Sequence, residues 1–137
     1  MRVELKPAAP VETPYVQLGG TEPIRLLVEA FYDAMEQHEP ALTAVHKLDA
    51  PGKVSRESRD NFASFLVFWL GGPQDYMQTR GHPRLRMRHG KVAIDEGMRD
   101  AWLRSMTRAM DARGVTGPVR SYLDARFAEV ADFLRNV

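Results

Sequence analysis

Apolar residues recur in this sequence at the spacing of one helix face, and no window alternates convincingly with the two-residue period of a strand. The first stripe consists of Ile24, Leu27, Val28, Phe31 and Met35. Similar stripes run from Ser55 to Leu70, after Asp95 and after Pro118. The spacing therefore predicts an all-α chain with four substantial helices.

Capping and breaking residues predict where these helices begin and end. Thr21 is expected to cap the first long helix, with a proline in the first turn, and Pro40 to start a shorter one. Gly71-Gly72-Pro73 is typical of a C-terminal stop, and Ala50-Pro51-Gly52 predicts a loop.

The stretch 74–94 predicts no regular structure beyond one short helix, and about 20 such residues are unusual in a small domain. No acid lies between Asp75 and Asp95. Five basic residues do, together with His82 and His89; they are Arg80, Arg84, Arg86, Arg88 and Lys91. A solvated loop face explains such a run as well as a binding site does.

Length and composition predict a single domain. The 137 residues are 44% hydrophobic and 27% charged, with a net charge of +1, which gives no global attraction to nucleic acid. Residues 1–14 hold three prolines and predict a flexible N-terminal leader, followed by one domain over 15–137.

The absence of cysteine excludes disulfides, thiolate metal sites and cysteine nucleophiles, and it fits a cytoplasmic protein. No apolar run is long enough for a membrane span, and residues 1–20 lack the apolar core of a signal peptide.

General catalytic motifs are not found. Carboxylates such as Glu36 and Glu39 are expected at helix ends or on polar faces, so acid–base catalysis by a carboxylate pair has little support. Zinc has little support either, because the four histidines fall on different elements; they are His38, His46, His82 and His89.

Aromatic residues are expected to meet in one core: Phe31, Tyr32, Phe62, Phe65, Trp69 and Trp102. Such residues are more often core than part of a cofactor site, but buried Tyr32 and Trp102 need hydrogen-bond partners. An all-α fold with an interior histidine and such donors suits a planar iron cofactor held by imidazole.

Two blocks of the sequence resemble the signature of the group II truncated haemoglobins. They are Trp69-Leu70-Gly71-Gly72-Pro73 with Tyr76 after it, and Arg80-Gly81-His82-Pro83-Arg84-Leu85-Arg86-Met87-Arg88-His89. Phe31-Tyr32 and Arg99-Asp100-Ala101-Trp102 also match in order and spacing. The resemblance covers about Thr13 to Val137. It implies a shortened globin fold, in which a two-over-two helical sandwich surrounds haem and the proximal helix is reduced to a short turn in a loop.

On the proximal side the resemblance implies that His89 is the axial ligand of the iron of haem b. His82, which precedes a proline, is expected to fix the loop instead. Phe65, Leu66 and Leu85 match apolar haem contacts, and Tyr76, Arg86 and Arg88 match partners of the haem propionates.

On the distal side the resemblance implies that Tyr32 and Trp102 donate hydrogen bonds to an O2 ligand, each contributing about 1.5–3 kcal/mol. His46 stands where the family has Tyr, Phe or His, and is expected to be a third donor. Ser58 matches the gate position. Phe62 matches the distal wall and is bulkier than the family leads us to expect.

The function implied is reversible binding of O2 and other small ligands (NO, CO, sulfide), as a bacterial-type monomer or homodimer served by an unidentified reductase. Three donors favour slow O2 release, and therefore NO or peroxide detoxification or O2 sensing over bulk oxygen transport. Whether the protein is an enzyme stays open, and no catalytic residue is assigned. The alternative is a non-haem helical module that binds an anionic partner through the basic segment 80–91.

Overall fold

Helices dominate the computed structural model, which describes residues 12–73 and 94–135. Along the chain they are α1 (Pro14–Gln17), α2 (Thr21–His38), α3 (Pro40–Ala44), α4 (Arg56–Trp69), α5 (Glu96–Ala112) and α6 (Gly117–Leu134). A short antiparallel hairpin, β1 (Leu48–Ala50) and β2 (Lys53–Val54), lies between α3 and α4. The prediction of an all-α fold class with four substantial helices is confirmed. No helix within the described ranges has the length and apolarity needed to cross a membrane.

The four long helices form two pairs around one core. Helix α2 packs against α4, α5 packs against α6, and α2 also lies along α5. The predicted stripe of α2 is fully buried, with each of its five residues at most 1% exposed. The partners of this stripe come from the other long helices: Leu66, Met106, Met110, Leu123 and Phe127.

Side-chain caps fix the starts of α4 and α5. Ser55 accepts a hydrogen bond from the backbone N–H of Ser58, and Asp95 accepts one from that of Met98. The prediction for Thr21 was one residue off. Gly20 occupies the N-cap position of α2, and the Thr21 hydroxyl instead lies 2.7 Å from the hydroxyl of Tyr15.

The hairpin between α3 and α4 contradicts the prediction that no strand forms. Its strands are three and two residues long, too short to show an alternating pattern, and they pair Leu48 with Val54 and Ala50 with Lys53. Gly52, with φ of +72°, lies in the turn that joins them. The predicted loop Ala50-Pro51-Gly52 is therefore the end of β1 and this turn.

The chain before α2 packs onto the C-terminal end of α4. Tyr15 donates its backbone N–H to the carbonyl of Leu70 at 2.9 Å. A Cβ atom at Gly71 would stand 2.7 Å from the side chain of Thr13, and one at Gly72 only 2.5 Å from the ring of Tyr15. The two glycines thus end α4 and also allow close approach of residues 13–15, which explains why both stand there.

We expect Gly72→Ala to destabilise the protein by about 2 kcal/mol, because the new Cβ would overlap both the Tyr15 ring and, at 2.8 Å, the backbone carbonyl oxygen of Val67. A carbonyl inside a helix cannot move aside as a flexible side chain can. Chemical denaturation of the full chain measures the effect. The matched control is Gly97→Ala, whose Cβ would meet nothing closer than a carboxylate oxygen of Asp95 at 3.3 Å. We expect the control to change stability by no more than about 0.5 kcal/mol, and equal losses in the two variants would contradict this account.

Candidate functional site

Six aromatic side chains meet between the two helix pairs, as predicted, and we call them the aromatic cluster: Phe31, Tyr32, Phe62, Phe65, Trp69 and Trp102. The ring of Phe31 lies 4.9 Å from that of Tyr32 and 5.3 Å from those of Phe62 and Trp102, measured between centroids. Phe65 continues the cluster along α4, with its ring 6.4 Å from Phe62 and 6.3 Å from Trp69. Edge-to-face and offset contacts at these distances are the favourable ones for aromatic rings.

Phe62 contacts both residues that carry a polar atom into this cluster. Its ring centroid is 6.0 Å from that of Tyr32 and 6.4 Å from that of Trp102, with both rings turned edge-on to it. Phe62 is only partly buried. The phenol of α2 and the indole of α5 therefore share one apolar wall.

The hydroxyl of Tyr32 is a buried donor whose hydrogen-bonding capacity is not used by any of the residues described. The side chain is 5% exposed, and no described residue accepts from it. The indole N–H of Trp102 also has no acceptor within residues 12–73 and 94–135. Burial raises the pKa of the Tyr32 phenol well above its usual value, so the hydroxyl keeps its proton. Buried polar groups are normally hydrogen-bonded, so the Tyr32 hydroxyl needs an acceptor that the described residues do not supply, and the indole of the partly buried Trp102 lies beside the same wall.

His46 lies against Tyr32, with its ring edge-on at 5.7 Å. Its Nδ1 is 2.8 Å from the carbonyl oxygen of Leu42. Because a carbonyl only accepts, Nδ1 carries a proton, and in a neutral imidazole the other nitrogen, Nε2, is then an acceptor. The structure therefore brings His46 next to Tyr32, and only a protonated His46 donates through both nitrogens.

The remaining predicted residues of α4 differ in their surroundings. Ser58 accepts a hydrogen bond from the hydroxyl of Ser55 at 3.0 Å, which ties its side chain to the helix N-terminus. Phe65 and Leu66 are 5% and 1% exposed, so both belong to the core as well as to the wall. The other predicted residues lie outside the described residues, and they are His89, His82, Leu85, Tyr76, Arg86 and Arg88.

An ion cluster around a buried arginine lies beside Tyr32 and was not predicted from the sequence. Arg59 of α4 is 7% exposed, and its Nη atoms donate to Glu29 at 2.9 Å, Asp33 at 3.0 Å and Glu36 at 2.8 Å. We call these four residues the Arg59 cluster. The guanidinium carbon of Arg59 also lies 5.5 Å from the centroid of the Tyr32 ring. The signal in the sequence is the row of acids at positions 29, 33 and 36, one face of α2 that requires cations opposite.

Two carboxylates expected at helix ends or on polar faces have largely buried side chains. The side chain of Glu36 is 9% exposed and accepts from Arg59 and from the backbone N–H of Val54 at 2.8 Å. Glu39 stands at a helix end as expected, between α2 and α3, but its side chain is only 10% exposed, and hydrogen bonds from Arg104 and Arg108 lower the pKa of its carboxyl. The burial of both side chains was not predicted, because their partners come from distant positions in the chain.

Comparison with known proteins decides the family. The model of the bacterial-like globin family matches residues 13–136. The group 2 truncated hemoglobin of Bacillus subtilis is 34% identical over 123 residues, which span 90% of this chain and 88% of the relative. This chain belongs to the bacterial-like globins, as a group II truncated haemoglobin.

Solved structures agree with this assignment. The hemoglobin of the thermophilic phototroph Chloroflexus aurantiacus is 36% identical with a TM-score of 0.83, covering 92% of this chain and 99% of that one. The truncated oxygen-avid haemoglobin of Bacillus subtilis is 34% identical with a TM-score of 0.81, covering 91% and 100%. The predicted shortened globin fold is confirmed. Truncated haemoglobins bind haem and, through it, diatomic ligands such as O2.

The side chains of the aromatic cluster fit a haem group on one of its faces. Tyr32 and Trp102 supply two donors that no described residue uses, and a ligand on haem offers the acceptor they lack. Phe62 and Phe65 supply apolar surface beside them. The donor set and its apolar surroundings are therefore the ones that a haem-bound diatomic ligand requires.

We expect Glu29→Gln to lower the free energy of unfolding by about 1 kcal/mol at pH 7, because Glu29 pairs with both Arg56 and Arg59. Burial alone would raise the pKa of Glu29, but the two arginines outweigh it and hold the pKa below its usual value. A carboxyl with a lowered pKa stabilises the protein above its unfolded-state value, and the contribution is lost as the pH falls. The difference between wild type and variant should therefore narrow below about pH 4. Denaturation at several pH values measures it. The control Glu22→Gln, at an exposed site in the first turn of α2 with no ion pair among the described residues, should change the stability at pH 7 by less than about 0.5 kcal/mol.

Proposed function

We propose that this globin binds O2 reversibly at a site formed by Tyr32 and Trp102, with His46 beside them and with Phe62 and Ser58 lining its approach. The observation that carries the proposal is the pair of donors, one buried phenol and one indole, on either side of Phe62. Haem b iron would supply the position at which a diatomic ligand binds. This chain would supply the side chains that surround that ligand.

Tyr32 and Trp102 act as hydrogen-bond donors to the outer atom of the O2 ligand, which carries partial negative charge. A hydrogen bond to a charged acceptor contributes about 1.5–3 kcal/mol, or roughly 10- to 150-fold in the rate of ligand escape. The raised pKa of Tyr32 supports this role, since the phenol remains a donor at physiological pH. One relative of similar sequence is described as oxygen-avid, which is consistent with two donors.

His46 lies beside the Tyr32 ring in this site. With Nδ1 bound to the carbonyl of Leu42, neutral His46 has an acceptor and not a donor on its other nitrogen. It can act as a third donor to the ligand only when both nitrogens carry a proton.

The size of the ligand is limited by Phe62. Its ring faces both donors, so ligands larger than two or three atoms would have to displace it. Small ligands such as NO, CO and sulfide share the site with O2. Ser58, held by Ser55, leaves little bulk at the gate position.

The residues that would hold the haem on its other side lie outside the described ranges, so their roles are proposed from the matching sequence block alone. We propose His89 as the axial ligand and Tyr76, Arg86 and Arg88 as partners of the propionates, with Leu85 as an apolar contact. Slow release of O2 would favour NO or peroxide detoxification or O2 sensing over bulk transport. Detoxification requires an electron donor, for which we propose a separate reductase.

The purified protein should show a Soret band when expressed with adequate haem, and His89→Ala should lose haem or bind it weakly and heterogeneously. The reason is that the imidazole ligand provides the axial bond. His82→Ala, in the same sequence block, is the matched control and should retain haem. Absorption spectra and haem titration measure both variants. Tight stoichiometric haem in His89→Ala would show that another residue is the ligand, and no Soret band in the wild type would contradict the whole proposal.

Tyr32→Phe and Trp102→Phe should each speed O2 dissociation by at least about 10-fold, while the CO dissociation rate changes by less than about 2-fold. Bound CO carries less negative charge on its outer atom, so it gains less from a donor. Stopped-flow exchange of the two gases measures the rates. Because the two donors share one ligand, the double variant should be non-additive. Equal effects on O2 and CO would instead indicate steric control by Phe62.

A further inference from the structure

The Arg59 cluster lies directly behind the phenol of Tyr32, and the function proposed above makes no use of it. Resting on that function, we propose that Arg59 is a positioning residue for the ligand site, whose guanidinium over the Tyr32 ring strengthens the phenol as a hydrogen-bond donor to the ligand. The guanidinium carbon is 5.5 Å from the ring centroid, within the roughly 6 Å at which a cation and an aromatic ring attract.

The three carboxylates of α2 fix this charge in place. Glu29, Asp33 and Glu36 follow one another along the helix face next to Tyr32, and each accepts a hydrogen bond of 2.8–3.0 Å from Arg59. The backbone carbonyls of Val54 and Glu29 accept two longer hydrogen bonds at 3.4 Å. A guanidinium held at five points does not swing away from the ring, and at 7% exposure water screens its field little.

A fixed positive charge next to a phenol makes its O–H bond more polar. The charge favours electron density moving from the hydroxyl toward the ring, and a more polar O–H donates a stronger hydrogen bond. Burial is the largest influence on Tyr32 and raises its pKa. Arg59 acts against burial and lowers the pKa, whereas Glu29 raises it. Arg59 and Glu29, which form an ion pair with each other, thus shift the pKa of the same phenol in opposite directions.

The opposite effects of Arg59 and Glu29 on Tyr32 allow an electrostatic role of Arg59 to be distinguished from a purely structural one. Loss of either Arg59 or Glu29 breaks the same ion pair, so a structural role predicts that both variants loosen the site in the same direction. The electrostatic role predicts that O2 dissociation becomes faster when Arg59 is lost and slower when Glu29 is lost. Arg56 provides the matched control, since it also pairs with Glu29 but its side chain is 60% exposed.

The experiment compares Arg59→Gln, Glu29→Gln and Arg56→Gln in the full-length haem-loaded protein. We expect Arg59→Gln to speed O2 dissociation by about 3- to 10-fold, with a smaller change for CO. Glu29→Gln should slow O2 dissociation by about 2-fold, although it destabilises the fold, and Arg56→Gln should leave the rate unchanged. In the Tyr32→Phe background, which lacks the hydroxyl, the effects of Arg59→Gln and Glu29→Gln on the O2 rate should both disappear.

A second measurement reports on the phenol of Tyr32 directly and does not depend on ligand release. The 13Cζ chemical shift of Tyr32, assigned with Tyr32→Phe in the CO complex, should move in opposite directions in Arg59→Gln and Glu29→Gln. Shifts or O2 rates that move in the same direction in both variants would overturn the inference. So would an Arg59→Gln effect that persists in the Tyr32→Phe background.

Two outcomes need a separate interpretation. If Arg59→Gln does not fold or take up haem, the milder Glu29→Gln decides alone, and an unchanged or faster O2 rate there overturns the inference. If Tyr32→Phe alone leaves O2 release unchanged, the proposed function of Tyr32 is wrong. The inference fails independently when Tyr32→Phe speeds O2 release and Arg59→Gln does not.

Discussion

Arg59 carries a positive charge into the interface between α2 and α4, where the side chain is almost fully removed from water. Burial of an unpaired ion costs several kcal/mol, and a partner must offset that cost with good geometry. Here three carboxylates from successive turns of α2 do so, and Glu36 also accepts from the backbone of Val54 in the hairpin. One guanidinium therefore sets the spacing of α2, α4 and the hairpin, the elements that hold Tyr32, Phe62 and the chain next to His46.

At the proposed ligand site, the buried hydroxyl of Tyr32 has a cost for the stability of the fold. A buried hydroxyl without a hydrogen bond costs about 1–3 kcal/mol, so phenylalanine at position 32 would suit a core of this composition better. The same dry surroundings that make the donors costly also strengthen their hydrogen bond to a bound ligand. In the proposed site, binding and stability would thus be coupled at Tyr32, whereas Leu66 contributes packing to the core.

The parts of the structure that follow from local pattern were predictable from sequence. Helix period, the caps Ser55 and Asp95 and the stop at Gly71 each depend on neighbours within a few residues, and the convergence of the aromatic residues follows from stripes on facing helices. The hairpin was not predictable, because five strand residues show no period. The roles of the site residues came from the resemblance to a family and not from their spacing.

The Arg59 cluster shows why ion pairs are difficult to predict from sequence. Arg59 is 23 to 30 residues from its acidic partners, and nothing in the local sequence distinguishes it from the exposed Arg56 three residues earlier. The same reason explains why the burial of the Glu36 and Glu39 side chains was not predicted, since their arginine partners lie on other helices. Opposite charges on two helix faces predict an attraction but not its burial, which depends on how closely the helices pack.

His46 shows how a local contact changes a role that is assigned by residue type alone. A histidine beside a ligand site is readily counted as a donor, but its donor capacity depends on where its proton is held. In this protein the carbonyl of Leu42, four residues back, accepts from Nδ1, and α3 fixes that carbonyl in position. In neutral His46 the second nitrogen is therefore an acceptor, and the imidazole lies edge-on to the ring of Tyr32. The contact with α3 thus decides which imidazole nitrogen can donate, and the residue type alone could not have predicted it.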